Sequence, residues 1–262
     1  MQKKGQMTSP KILYYDIEIS LQTVAIFDLK YNDYISPESL VSERHLICAA
    51  WKWEGENKVH AVSLLDDSKR YAKDAHDDYH VVKALHGVLS EADVVIGHNS
   101  ESFDNKYVET RGIYHGLSPL PALTSIDTYK VAKSRFRFNS NKLDYLGRYL
   151  GVGRKKPTTP GLWMRVLQGD RKAIKEMVAY NKQDVLLLER VFLKLRPYVN
   201  NHANLELFGN TGCPRCGSKK VQSRGFHRAV SRVYRRFQCQ SCGGWHKSAV
   251  NEKAVKPQFR VI

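Results

Sequence analysis

Near the start of the chain runs Lys11-Ile-Leu-Tyr-Tyr-Asp-Ile-Glu-Ile19, whose β-branched and aromatic content predicts a strand. Within it stand two acids, Asp16 and Glu18. Alternation puts both on one face and Tyr15, Ile17 and Ile19 on the other. Neighbouring carboxylates on so apolar a strand repel and raise each other's pKa. Two arrangements relieve the penalty. The acids face water at a strand edge, or a hard divalent cation sits between them, and oxygen ligands suit Mg²⁺ or Mn²⁺. Any fold for this chain has to supply one or the other.

The pattern downstream predicts an α/β body with a mixed sheet flanked by helices. Thr23–Leu29, His45–Trp53 and Lys58–Leu64 read as strands. Residues 78–92 have helical spacing through Val81, Val82, Leu85, Val88 and Leu89. A short apolar strand follows at Asp93–Gly97, then a helix from Phe103 to His115, and a last short strand at Thr124–Thr128. Asn141–Leu150, Leu162–Gln168 and Arg171–Leu195 read as helices, the last with Asp170 as N-cap and Pro197 beyond its end. The polar, Gly-containing stretch 200–211 marks a linker between a body at 10–199 and a small domain at 212–262.

Two further acids occupy chemically suggestive places. Asp104 follows the turn Gly97-His-Asn-Ser-Glu-Ser-Phe103 at the end of a buried strand, where ligands collect in α/β sheets. Asn99 offers a hydrogen-bonding group at the rim, and Phe103 is expected to anchor the turn in the core. Alone, Asp104 also reads as an ordinary first-turn acid. In the last helix Tyr180 and Asp184 share a face by their spacing of four, beside the apolar Val185, Leu187 and Leu188. A buried acid there needs a partner or a metal, while an exposed Asp flanking a core Tyr needs neither.

Taken together, Asp16-x-Glu18, Asn99-x-x-x-Phe103-Asp104 and Tyr180-x-x-x-Asp184, in that chain order, resemble the DEDD 3′→5′ exonucleases of the RNase H-like superfamily. The tyrosine resembles the DEDDy branch, which includes proofreading domains of family B DNA polymerases. The likeness spans roughly residues 10–198. It implies two Mg²⁺ or Mn²⁺ ions held by Asp16, Glu18, Asp104 and Asp184, with Asp16 bridging both and Asp104 acting in part through water. It further implies that Tyr180 orients the attacking water, because a phenol of pKa near 10 is a poor base at neutral pH. Lys142 and the loop Arg154-Lys155-Lys156 are candidates to touch the substrate backbone, the loop reading equally well as a solvated charge run.

The tail is of a different kind. Cys213-x-x-Cys216 and Cys239-x-x-Cys242 lie 22 residues apart and resemble the two knuckles of a zinc ribbon. Four thiolates make a closed, structural Zn²⁺ site that folds a segment too short for a core. A redox role for one Cys pair is the lesser alternative, and Cys48 reads as a buried bystander. The chain's net charge of +16 is concentrated here: residues 210–262 hold twelve Lys/Arg against one acid, Glu252. Arg232, Tyr234, Arg235, Arg236 and Phe237 mix cations with aromatics and point to a nucleic-acid partner, with protein docking as the competing view.

At 42% apolar and 26% charged, the composition excludes a disordered chain. No apolar run reaches the roughly 20 residues of a membrane span, and no secretory signal opens the sequence. A cytoplasmic protein without a membrane partner is the expectation. The leading expectation is a metal-dependent 3′→5′ exonuclease, on DNA before RNA and on single strands, gripping its substrate through the ribbon. An exoribonuclease, a structure-specific endonuclease or a non-catalytic nucleic-acid-binding protein are the alternatives.

Overall fold

Residues 10–28, 34–229 and 232–250 are described in a computed structural model of the chain. The body is a five-stranded mixed sheet in the order β5-β4-β1-β6-β7. Its strands are β1 (Ile12–Ile19), β4 (Leu46–Trp53), β5 (His60–Ser63), β6 (Val94–Gly97) and β7 (Thr124–Asp127). β4 pairs antiparallel with both β1 and β5, whereas β6 runs parallel to both β1 and β7. Central placement explains why Ile12 to Tyr15 are all buried: the sheet is covered on both faces. Pairing with β4 extends to Ile19, but pairing with β6 stops at Tyr14. The end of β1 that carries Asp16 and Glu18 therefore projects past its parallel neighbour.

Leu13, Tyr15 and Ile17 point into one layer, formed with α2 (Tyr79–Ser90), α3 (Asp104–Tyr114) and α6 (Leu162–Leu167). Ile12 and Tyr14 point into the other, with α4 (Thr128–Arg135), α5 (Leu143–Tyr149) and the C-terminal half of α7 (Arg171–Leu195). Asp16 and Glu18 share the second face by alternation. Asp170 caps α7 by accepting from the amides of Lys172 and Ala173, as its position predicts. Among the described residues no helix is long and apolar enough to cross a membrane.

Several elements differ from the sequence reading. The strand expected over Thr23–Leu29 is only β2 (Thr23–Val24), paired with β3 (Leu40–Ser42) in a separate two-stranded sheet, and Leu29 lies outside the described residues. The short helices α1 (Ser68–Lys73) and α4 escape the pattern because α1 buries nothing and α4 buries only Thr128, Val131 and Ala132. The segment 200–211 is polar in composition, yet Leu205 inserts among Phe192, Leu195 and Val199, and its amide donates to the Pro214 carbonyl at 2.8 Å. The Arg215 guanidinium also donates to the Pro197 carbonyl. This stretch therefore packs on the body and touches the small domain. That domain is a three-stranded sheet of β8 (Val221–Arg228), β9 (Val233–Cys239) and β10 (Trp245–Lys247) in the order β10-β9-β8, and residues 251–262 of the expected span lie outside the described residues.

One buried ion cluster ties helices to the sheet beside the Ile19 end of β1. Asp78, fully buried, accepts from Arg111 Nε and Nη2 at 2.9 and 2.7 Å and from the Leu46 amide at 2.8 Å, while His115 Nε2 lies 2.6 Å away. It joins α2, α3 and β4. Asp78→Ala would leave the Arg111 guanidinium buried without its partner, so a loss of about 3–5 kcal/mol in urea unfolding is expected. A change below about 1 kcal/mol would show that this cluster does not hold α3 to the sheet.

Candidate active site

The site is assembled at one end of β1. The Asn181 amide, on the buried face of α7, donates to Asp16 Oδ2 at 2.6 Å and fixes that carboxylate against the helix. One helical turn on, Asp184 comes to the same place. Asp16, Glu18 and Asp184 each bring an oxygen within 4.8 Å of the others. Asp104 stands just outside this trio. It is buried, and its Oδ1 accepts from the Ile17 amide at 3.2 Å. The turn before it depends on Gly97, where a Cβ would come within 2.3 Å of the Ser100 side chain, and on Asn99, which adopts a left-handed φ of 63°. Phe103 does not reach the core. It is half-buried against Tyr107, with ring centroids 4.8 Å apart, because Asp104 and Val108 take the inward positions.

Burial, first among the causes, raises the pKa of every acid in the set. Burial and then Asp184 push Glu18 up to about 8. Asp104 is pushed to about 7 by burial, against the opposing pull of backbone amides. Burial, followed by the charges of Asp104, Glu18 and Asp184, drives Asp16 well above the carboxylate range. Asp184 rises through burial despite Lys155. Its Oδ1 is buried with no hydrogen-bond partner. Three converging carboxylates, one with an orphaned oxygen, fit a hard divalent cation, whose charge removes the repulsion and fills the vacant acceptor.

Among the described residues, one cation meets this cluster. Lys155 Nζ donates to Asp184 Oδ2 at 2.6 Å and to the Tyr180 hydroxyl at 3.0 Å. Burial disfavours its charge, but Asp184 and Asp16 outweigh burial and hold the ammonium above its usual range. Within the basic loop, Arg154 and Lys156 are exposed while Lys155 turns inward, its own amide anchored on Asp144 Oδ1 at 2.9 Å. Burial and the Asp184 charge push Tyr180 up to about 12, so it remains a phenol at neutral pH. Beside the cluster opens a cavity of about 420 Å³, lined by His98, Asn99, Tyr129, Lys142, Asp144 and Lys155 among others.

Two residues of the site were not singled out in the sequence. Asn181 was detectable, since a polar residue falls there at a core position between Met177 and Val185 of an amphipathic helix. Asp127 gave no such signal. It accepts from the amides of Asn99, Glu101, Tyr129 and Lys130, and so pins the turn leading to Asp104 to the start of α4.

Residues 52–196, more than half of the chain, match the family model of the RNase H superfamily. The chain belongs to that superfamily. The match begins after β1 and includes Asp104, Tyr180 and Asp184. In structure the RNase H-like body is similar to a family B DNA polymerase from the hyperthermophilic archaeon Pyrobaculum calidifontis, with a TM-score of 0.52 and 19% sequence identity. The likeness covers 78% of this chain and 26% of the polymerase chain, so the chain spans about a quarter of that protein. At this identity the likeness is one of fold. No curated protein matches the chain.

The second candidate metal centre lies in the tail. Cys213, Cys216, Cys239 and Cys242 bring their sulfurs within 4.8 Å of one another. Cys213 and Cys242, and Cys216 and Cys239, are each 3.7 Å apart. A tetrahedron with Zn–S arms of about 2.3 Å has edges of about 3.8 Å, so the four sulfurs fit Zn²⁺. Amides of Ser241 and Gly244 point at Cys239 and Cys242, both at 3.4 Å, and His246 Nε2 lies 3.1 Å from Cys213. Such outer contacts favour thiolates.

The raised pKa of Glu18 has a direct consequence. A carboxyl group whose folded pKa exceeds its unfolded value favours folding at low pH, and that contribution is lost as pH climbs through the folded pKa. Without divalent ions, Glu18→Gln is therefore expected to melt at a progressively higher temperature than the parent as pH rises from about 4.5 to about 8. A difference in melting temperature that does not change over this window would contradict the crowding of Glu18.

Proposed function

We propose that the chain is a metal-dependent 3′→5′ exonuclease of the DEDDy type, acting on DNA, with single strands as its preferred form. The observation that carries this reading is the convergence of Asp16, Glu18 and Asp184 into one partly buried cluster beside a nucleotide-sized cavity, with Tyr180 and Lys155 against it. A nest of acids repels a phosphate backbone unless cations stand between them, so a purely binding protein gains nothing from it. Two Mg²⁺ or Mn²⁺ ions would be held by Asp16, Glu18 and Asp184, with Asp104 behind them. When bound, such ions make a nucleophile of water at neutral pH and stabilise the leaving 3′ oxygen.

The chain's own residues then have separable roles. Asn181 keeps Asp16 turned toward the cluster. Tyr180 retains its proton and orients the attacking water by hydrogen bonding rather than by removing a proton. Lys155 offsets negative charge around Asp184 and steadies the Tyr180 hydroxyl. Asn99 and Lys142 line the cavity and are placed to meet the terminal nucleotide, and Arg154 and Lys156 extend a basic surface outside it. Phe103 stands half-exposed at the rim. DNA is proposed ahead of RNA because the structurally similar protein is a DNA polymerase. The division of labour follows the body at 10–199, the segment 200–211 and the zinc ribbon at 212–262, the ribbon holding substrate through its basic and aromatic residues.

The test uses end-labelled single- and double-stranded DNA and RNA with Mg²⁺, Mn²⁺ or a chelator. A ladder shortening from the 3′ end of single-stranded DNA, dependent on metal, is expected. Asp16→Ala and Asp184→Ala should fold and lose roughly a thousandfold or more in rate, as expected for several kcal/mol of lost transition-state stabilisation. Cleavage at the parent rate by either variant would overturn the site assignment. Internal cuts or RNA-only degradation would overturn the mode or the substrate.

A further inference from the structure

The ribbon sheet has two unlike faces. Register places Tyr234 opposite His227 and Lys247 opposite Arg236, while Trp245 stands two residues from Lys247. Alternation puts these five side chains on one face. On the other face lie Phe226, Arg235, Phe237 and His246, and Cys239 belongs to the same row, so this second face leans over the cysteine cluster. A bulge at Arg224-Gly225, with Gly225 at φ +78°, keeps the two rows in phase despite the extra residue in β8.

The first face is the outer one, and its rings and cations are already ordered. Lys247 Nζ sits 4.7 Å from the centre of the Tyr234 ring, and the Arg236 guanidinium lies 5.0 Å from that of Trp245. His227 stacks on Tyr234 with 25° between the planes. Trp245 is nevertheless 46% exposed, a large open ring surface for so small a domain. Arg236 is further held by donating from Nε to the Arg224 carbonyl at 3.1 Å. Rings backed by cations, with open surface left over, match a ligand that alternates flat π-systems with negative charge. Single-stranded nucleic acid has that alternation, whereas a duplex hides its bases and an acidic peptide lacks the planes.

We infer that the face carrying His227, Tyr234, Arg236, Trp245 and Lys247 is a base-stacking platform for single-stranded nucleic acid. The inference rests on the reading of the chain as a nucleic-acid enzyme and narrows it. The ribbon recognises unstacked bases and is not merely a polycation. Of the five tail residues first singled out, Tyr234 and Arg236 belong to the platform. Arg235 and Phe237 face the metal side, and Arg232 lies outside the strands. Stacking is indifferent to base identity, so the platform tolerates any sequence and selects for strandedness.

The experiment is a binding titration of the full chain carrying Asp184→Asn, so that substrate survives. Short oligo(dT) and an abasic phosphodiester of equal length and charge are compared by anisotropy and by tryptophan fluorescence. Oligo(dT) should bind about tenfold more tightly and quench tryptophan emission. Trp245→Leu should remove the quench and the tenfold preference while leaving abasic binding intact. Lys247→Gln should weaken both ligands alike and reduce the salt slope by about one. Phe226→Leu, on the opposite face, should change neither. Equal affinity for oligo(dT) and the abasic strand would overturn the inference, as would unchanged oligo(dT) binding by a Trp245→Leu chain that retains zinc. Binding is read without cleavage, and cleavage by the parent chain is read separately, so failure of one reading leaves the other standing.

Discussion

Repulsion among buried carboxylates is the constraint around which this molecule is organised. Asp16, Glu18 and Asp184 bring oxygens within 4.8 Å of one another, Asp104 adds its field from behind, and among the described residues one ammonium, Lys155, answers them. One ammonium does not neutralise the set: burial raises the pKa of all four acids, and repulsion within the set adds to it for Asp16 and Glu18. An arrangement of this cost persists when something outside the chain compensates it, and hard divalent ions do so with the ligands on offer.

The scaffold explains how acids 168 residues apart in sequence, Asp16 and Asp184, come together. The pairing of β6 with β1 ends at Tyr14, so the last two turns of the pleat in β1 emerge at the sheet's carboxyl end, where α/β folds gather their ligands. Helix α7 crosses β1 and β4, with Val185, Leu188 and Phe192 in the core and Asp184 beside them. Packing thus sets the position of the carboxylate, and Asn181 couples it to β1 through Asp16. The ribbon answers a different shortage. Its strands bury little besides Cys239, so a metal ion held by the four clustered sulfurs would replace the core it lacks.

Much of this was legible in the chain. Two acids on an apolar strand and a 25-residue helix with its cap and stop carry strong periodic signals, so β1 and α7 were placed, with the acids on the faces where they occur. The knuckle spacing likewise marked all four sulfurs that cluster. What stayed hidden lies where periodicity gives no instruction. Lys155 belongs to a Gly/Pro-containing loop, and its inward turn is set by a tertiary bond from its amide to Asp144. Asp127 acts by accepting backbone amides from two loops, a role that leaves no mark on composition. Leu205 sits in a polar stretch whose docking depends on one apolar side chain finding Phe192 and Val199. The two faces of the ribbon became separable only once register and the bulge in β8 were fixed.

The most direct measurement is diffraction from crystals of the full chain soaked in Mn²⁺, read by anomalous scattering. Mn²⁺ is expected within coordination distance of Asp16, Glu18 and Asp184, with the orphaned Asp184 Oδ1 among its ligands. Saturating Mn²⁺ that leaves no anomalous peak between these three carboxylates would contradict this assignment.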